Sequence, residues 1–404
     1  MLDNGMVYFL LSVFSFLIVL SIVVFVHEFG HFQVAKWLGV KIDKFSLGFG
    51  PKLLGWTDKD GVEWRIGAYP LGGFVQFAGD KDGTSFPDES YAIADVVEDN
   101  EKGHFHNMPV WVRALVAAAG PFSNFLFSIL VFATLLLSYG EIIHKPVIEM
   151  VMPDGAAYKA GVLVGDEVLT VNGQKVDSIQ DLQRTIITSG GETLKLDILR
   201  NNQHVYIDVV PQVVARETPF GDKETQGAIG IGLSDNPKYS YNVKYNPITA
   251  LQKATEKTYQ IISTQVKFIG ALFRGAMSLG HLSGPLGIGQ SAGMVAKNSI
   301  DSVGHDAGAL LKLEALSLGL IQLACVLSVA IGFMNLLPLP ILDGGHLVFY
   351  ALEGLRGKPV PQSVQIASYK VGFACLMILF VFATFQDIER TGIFRGIHSI
   401  AGMG

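Results

Sequence analysis

Cysteine is nearly missing from this 404-residue chain: the two present, Cys325 and Cys375, both fall inside long apolar runs. That excludes a disulfide framework and a thiolate metal motif. Charge is also scarce. Asp, Glu, Lys and Arg make up 16% of the residues against 50% hydrophobic, and the mean hydropathy is +0.39, whereas a soluble domain ordinarily carries about 25% charge. The formal net charge of -6 is spread over several loops and no basic patch is interleaved with aromatics, which excludes a nucleic-acid partner. No Lys or Arg precedes Lys36, so the first apolar run lacks the basic start of a signal peptide and reads as a retained helix.

What the chain has in abundance is runs fit for lipid. Met6 to Val26, Ala114 to Tyr139 and Ala315 to Leu342 carry no charged residue, and Val371 to Phe385 is a shorter fourth run that extends back past Lys370; a bilayer crossing needs about 20 apolar residues. Lys36, Lys41, Lys44 and Lys52 follow the first run, and Lys102 and Arg113 precede the second, which puts that loop in the cytoplasm and both termini outside. The predicted order is a transmembrane helix over 6–36, a cytoplasmic loop with membrane-associated strands over 37–110, a second span over 111–140, an outer α+β module over 141–213, a linker with an amphipathic helix over 214–310, a third span over 311–345, a cytoplasmic loop over 346–366, a fourth span over 367–387 and a tail over 388–404. Within the linker, Lys267, Arg274 and His281 recur every seven residues and share a face, either on the membrane surface or against their own domain.

Polar residues interrupt this apolar background at two places. In "HEFGH", His27 and His31 stand four apart, so on a helix both imidazoles lie on one side and can bind one zinc ion. Glu28 is on the adjacent flank, where a carboxylate can take a proton from water whose pKa the metal lowers from about 15.7 toward 7. Two histidines leave a catalytic zinc one protein ligand short. The third span supplies candidates in "GFMNLLPLPILDGGH": Asp343 is the expected third ligand, with His346 the competing choice. The first and third spans both run from outside to inside and end in these polar clusters, so topology alone predicts their convergence. Pro338 and Pro340 open the helix, which is tolerated at membrane depth only where the freed carbonyls face protein or a wet cavity. Asn335 either hydrogen-bonds the scissile carbonyl or its oxyanion, or packs between helices as a polar pair.

The cytoplasmic loop holds "VEWRIGAYPLGGFVQF", in which Val62, Trp64, Ile66 and Ala68 alternate as in a strand. A membrane-spanning substrate arrives as a helix, and an exposed strand edge can stabilise its unwound segment by β-addition. Gly72, Gly73, Phe74 and Val75, together with Pro338 and Pro340, are therefore read as the substrate-binding residues. The outer module alternates short β-type runs with Gly-bearing turns and one helical stretch around Ser178 to Ile187.

Taken with "AGPFSNF" at 119–125, the HEFGH pentad and the "NLLPLPILDGG" of 335–345 resemble, over nearly the whole chain, the site-2 protease family of intramembrane zinc metalloproteases, in its bacterial stress-signalling branch. The resemblance implies a polytopic α-helical membrane protein with four transmembrane helices, a membrane-associated β element and a periplasmic α+β PDZ domain, the last because "GAAYKAGVLVGDEVLTVNGQKV" is similar to the bacterial PDZ pattern. It implies that His27, His31 and Asp343 bind zinc, that Glu28 activates water and that Asn335 assists at the substrate. It also implies residence in the bacterial inner membrane, regulated intramembrane proteolysis of a membrane-spanning substrate such as an anti-sigma factor, and a peptide end received at the PDZ groove. Two other classes fit parts of the sequence. A membrane zinc carrier would want acidic or His residues in the outer halves of the spans, where there are none, and a PDZ scaffold would leave Glu28 unexplained.

Overall fold

The computed structural model describes residues 4–79, 103–217, 223–234, 236–274, 284–304 and 306–390. The chain divides into two compact units, one built from Met1–Phe132, Ala254–Gln265 and Leu279–Gly404 and the other from Ala133–Lys253 and Val266–Ser278. In chain order the elements are α1 (Asn4–Trp37), β1 (Ile42–Thr57), β2 (Glu63–Phe77), α2 (Val110–Ser138), β3 (Glu141–His144), β4 (Ile148–Val151), α3 (Ala156–Lys159), β5 (Glu167–Val171), β6 (Gln174–Lys175), α4 (Ile179–Thr188), β7 (Leu194–Arg200), β8 (Gln203–Val209), β9 (Gln212–Glu217), β10 (Lys223–Ala228), β11 (Ile231–Leu233), β12 (Ser240–Val243), α5 (Pro247–Phe273), α6 (Pro285–Ser302), α7 (Ala309–Asn335), α8 (Asp343–Arg356) and α9 (Gln362–Arg390).

Four of these helices are long and apolar enough to cross a membrane: Met6–Trp37, Val110–Ser138, Ala309–Asn335 and Gln362–Glu389. The expected loop over 346–366 is largely helical instead, because α8 starts at Asp343 and runs to Arg356 before Gly357, at φ +65°, ends it in the left-handed conformation. Residues 285–302, read from sequence as linker, form α6. Its composition hides it: the buried face is Ala292, Gly293 and Ala296, small residues that give little hydropathy yet let helix backbones approach closely. A Cβ on Gly293 would collide with Ser12 of α1, and one on Gly319 of α7 with Ser299 of α6. Val19, Val23, Ala296, Leu320 and Ala324 form the shared core of α1, α6 and α7.

The start of α6 is finished by another helix. Asp387 of α9 is 2% exposed and accepts the backbone N–H groups of Gly284 (3.1 Å) and Gly287 (2.8 Å), the cap residue and the third residue of α6. Those are the two donors that a capping box satisfies from within one helix; here a single carboxylate from α9 serves both. A Cβ at residue 284 would stand 2.8 Å from that carboxylate.

Strands β1 and β2 form one antiparallel sheet folded upon itself. Phe45 of β1 is partnered on one side by Val75 and on the other by Trp64, so the first limb of β1 is interior, and Gly73 to Phe77 pair with β1 alone. Among the described residues no second strand pairs with that segment, which makes it an edge of the sheet. The turn between β1 and β2 is tied down by Asp58, which accepts from the N–H groups of Asp60, Val62 and the Trp64 indole. The indole bond chiefly holds the Asp58 carboxyl below the usual carboxylate range. Lys36, at the end of α1, pairs with Asp60.

The second unit has a four-stranded sheet in the order β6-β5-β7-β8. Leu194, Leu196 and Ile198 of β7 alternate inward onto Leu182 and Ile186 of α4, Val168 and Val171 of β5, and Ile148. Ser178 caps α4 by accepting from the Asp181 N–H. This fold does not stop at residue 213, the boundary expected from sequence. Residues 227–234, inside the stretch read as a linker, supply β11, which pairs with β4, and β12 pairs with β3; without them both early strands would present unpaired backbone. Lys267 lies in α5 and Arg274 is its C-cap, while His281 lies outside the described residues.

Candidate active site and metal centre

Three elements of the first unit bring the polar residues together. α1 carries His27, Glu28 and His31, with the two imidazole centroids 4.9 Å apart. α7 ends at Asn335, and after the proline-bearing turn Asp343 opens α8. Gly344 and Gly345 are required there: a Cβ on either would collide with the carbonyls of Leu336, Leu337 or Leu339, so the turn can fold back onto the first turn of α8 only over glycine.

The donor atoms converge tightly. His27 Nε2 is 3.2 Å and His31 Nε2 3.5 Å from Asp343 Oδ2, and the two Nε2 atoms are 3.3 Å apart. Bonds of roughly 2.0–2.2 Å to a tetrahedral zinc put its ligand atoms about 3.3–3.6 Å apart, and these separations are those of one face of such a tetrahedron. Asp343 Oδ2 is buried with no well-formed hydrogen bond, which is the condition of an oxygen reserved for a cation. Two imidazoles and one carboxylate are a zinc donor set with one position left for water or substrate. His346 is not part of it: its Nδ1 lies 3.2 Å from the Tyr369 hydroxyl, and among the described residues the metal-competent cluster comprises His27, His31 and Asp343.

Around this cluster opens a cavity of about 870 Å³. Glu28, Asn335 and His346 line it, as do Gly73, Phe74 and Val75 of the strand edge. Gly73 marks the closest approach, since a Cβ there would stand 2.9 Å from Glu28 Cγ and 2.8 Å from the Ser46 carbonyl. Gly72, Pro338 and Pro340, expected at the substrate, do not line the cavity. Gly72 packs its backbone against the Phe49 ring, Pro340 lies against Gly372 of α9, and Pro338 is exposed.

Sequence reasoning singled out "AGPFSNF" without giving its residues work, and α2 turns out to support both histidines. His31 Nδ1 donates to the Val116 carbonyl (2.8 Å), and the Asn124 side chain meets His27 Nδ1 (3.3 Å). Gly120 leaves room for the His31 ring, which a Cβ would strike, and Gly30 on α1 leaves room for Ser123, whose hydroxyl lies 2.8 Å from the Val26 carbonyl and 2.7 Å from that of Gly120. The available signal was an Asn, a Gly and a Pro in an otherwise lipid-compatible span. Nearby, Arg113 of α2 pairs with Glu353 of α8 (2.6 Å) and lies over the Tyr350 ring, joining the helix that orients the histidines to the helix that bears Asp343.

A helix-borne HExxH pair completed by an aspartate that follows the end of a second apolar helix defines a multi-pass membrane metalloprotease. The chain belongs to peptidase family M50, a family of zinc metalloproteases, whose pattern matches residues 15–379. It is 39% identical over 376 residues to a protein of Rhizobium meliloti provisionally named a zinc metalloprotease, covering 93% of this chain and 96% of that one. It is 35% identical over 403 residues to the metalloprotease MmpA of Caulobacter vibrioides, covering 97% and 99%. Among solved structures, the PDZ domain of an SdrC-like protein from Listeria innocua aligns with 23% of this chain and 96% of its own at 23% identity and a TM-score of 0.19, a likeness too slight to fix a fold.

Proposed function

We propose that this protein is an intramembrane zinc endopeptidase of site-2 protease type, cutting the membrane-spanning segments of single-span proteins. His27, His31 and Asp343 hold the metal, Glu28 is the general base and acid, and Asn335 hydrogen-bonds the scissile carbonyl or its oxyanion. The observation that carries the reading is the trio of donor atoms 3.2–3.5 Å apart in a cavity that also exposes Glu28 and an open strand edge. Zinc at that position supplies Lewis-acid polarisation of the carbonyl and acidifies water. Glu28 takes the proton of the attacking water and passes it to the leaving amine. Asn335 donates its amide N–H to the developing oxyanion. Gly73 to Phe77 receive the unwound substrate as an added strand, replacing the helical hydrogen bonds it gave up.

The natural substrate is of anti-sigma-factor type, cleaved during regulated intramembrane proteolysis in the bacterial inner membrane, with both termini of the protease on the periplasmic side. The Lys and Arg distribution and the family resemblance support this placement. The outer module is of PDZ kind; it receives a peptide end and admits substrates already shortened outside. The test is cleavage in reconstituted vesicles of a single-span substrate with and without its outer domain. The shortened form is cut and the long one is not, and Glu28→Gln abolishes cleavage, by a factor of about 10³ or more, while zinc content stays at one per chain. Unimpaired turnover by Glu28→Gln, or zinc retained after His27→Ala, refutes the assignment.

A further inference from the structure

The two metal-facing imidazoles are held from behind in different ways. His31 Nδ1 lies 2.8 Å from the Val116 carbonyl. A carbonyl only accepts, so Nδ1 bears the proton and the Nε2 lone pair faces the cluster. His27 also turns its Nε2 to the cluster, and behind its Nδ1 lies Asn124, whose Nδ2 is 3.3 Å away. An amide N–H there satisfies an unprotonated Nδ1, which leaves the proton on Nε2, the atom needed for ligation. The other end of the same amide, Oδ1, is buried without a hydrogen-bond partner, on a residue that is 0% exposed. Half a turn about Cβ–Cγ exchanges the two ends with little change of shape. It gives Oδ1 the His27 Nδ1 proton as a partner and frees Nε2.

We propose that Asn124 is a positioning residue of the metal centre, its side-chain oxygen accepting from His27 Nδ1–H so that Nε2 is presented to the metal, as the Val116 carbonyl does for His31. The inference rests on the assignment of His27, His31 and Asp343 as zinc ligands. α2 is thereby the element that sets the tautomer and ring orientation of both histidines, once through its backbone and once through a side chain. The surroundings hold Asn124 at the needed depth. The hydroxyls of Ser128 and Ser328 donate to its backbone carbonyl (2.9 and 3.3 Å), and Gly332 of α7 leaves the space beside its Cβ, where an added methyl would stand at 3.0 Å. The amide can exchange its ends but cannot swing away. An asparagine suits this position in a way that leucine, of similar size, cannot, and an aspartate would serve only as acceptor.

The test measures zinc affinity of the full-length protein in detergent by competition with a chromophoric chelator, together with the visible absorption of the cobalt-substituted protein. Removing a partner of a ligating histidine typically weakens metal binding about 10- to 100-fold, so Asn124→Leu should lose affinity by that factor and shift or weaken the cobalt bands. Asn124→Asp, which keeps an oxygen facing Nδ1, should bind zinc within about threefold of the parent or more tightly, with parental cobalt bands. Equal zinc affinity in the parent and a folded Asn124→Leu overturns the proposal and leaves the zinc ligands standing. If the leucine variant does not fold, the aspartate variant decides: parental affinity supports the acceptor role, and a folded protein at least tenfold weaker overturns it. A parent that holds no zinc refutes the ligand assignment itself and the role of Asn124 with it.

Discussion

The two units of this chain are packed by opposite means. In the unit with the four-stranded sheet the fully buried side chains are large, with Ile148, Leu182, Leu194, Leu196 and Ile198 all at 2% exposure or less. In the unit that contains the metal-competent cluster several close meetings of helices set glycine against serine or asparagine: Gly30 with Ser123, Gly293 with Ser12, Gly319 with Ser299 and Gly332 with Asn124. The difference follows from solvent. A module in water gains by removing apolar area from it, roughly 25 cal/mol per Å². Helices in lipid gain nothing from that exchange, and backbone proximity with interhelical hydrogen bonds takes its place. In the first case a missing methylene is the injury; in the second an added one is.

The largest effect should therefore come from adding atoms in the site-bearing unit. Gly120→Val drives a branched side chain into the His31 ring, and cleavage should fall at least about 100-fold with zinc lost in parallel, read by metal analysis of the purified protein. The opposite operation belongs to the module. Leu194→Ala, at 0% exposure, should destabilise it by about 2–5 kcal/mol, seen as faster hydrogen exchange in β5, β7 and α4, with zinc content unchanged. Parallel loss of zinc on Leu194→Ala would show that the two packings are not separable. The smallest effect concerns a surface that fits neither description, the strand edge, where backbone groups and not side chains are in play. Single prolines at Phe74, Val75, Gln76 and Phe77 remove one donor each. Those whose N–H points away from β1 should slow cleavage severalfold, by about 1 kcal/mol per lost bond, at constant zinc content. Unchanged turnover across all four positions would end the strand-addition mechanism.

How much of this was legible beforehand depended on contrast. His27, Glu28, His31, Asn335 and Asp343 stand out because polar residues are expensive where lipid is the solvent, so each one demands a reason. Three of the four spans declare themselves by hydropathy, and the fourth does so once Lys370 is allowed inside it; α9 begins at Gln362. Low contrast explains the misses. α6 is rich in Gly, Ala and Ser and carries Lys297 and Asp301, so its helix is held by closeness that no hydropathy scale records. The module's end was set too early because β11 and β12 are only three and four residues long and exist as strands through pairing with β4 and β3. Asn124 was visible as a polar residue in a span, but its relation to His27, 97 positions away in the chain, is set by how α1 crosses α2.

The carboxylate of Asp387 also has a consequence for how the protein is made. Gly284 and Gly287 are synthesised a hundred or so residues before the group that accepts their N–H protons. Once the ribosome has passed Asp343 at the start of α8, every residue of the metal-competent cluster has been laid down, yet α6 still has two backbone donors without a partner, each costing several kcal/mol in an apolar surrounding. Helix α9 is thus the one that completes a helix begun much earlier. A nascent chain released between residues 343 and 387 would hold the metal-competent side chains on a scaffold whose sixth helix is still unfinished, so how far translation has run, and not only whether those residues are present, decides when this protein can settle.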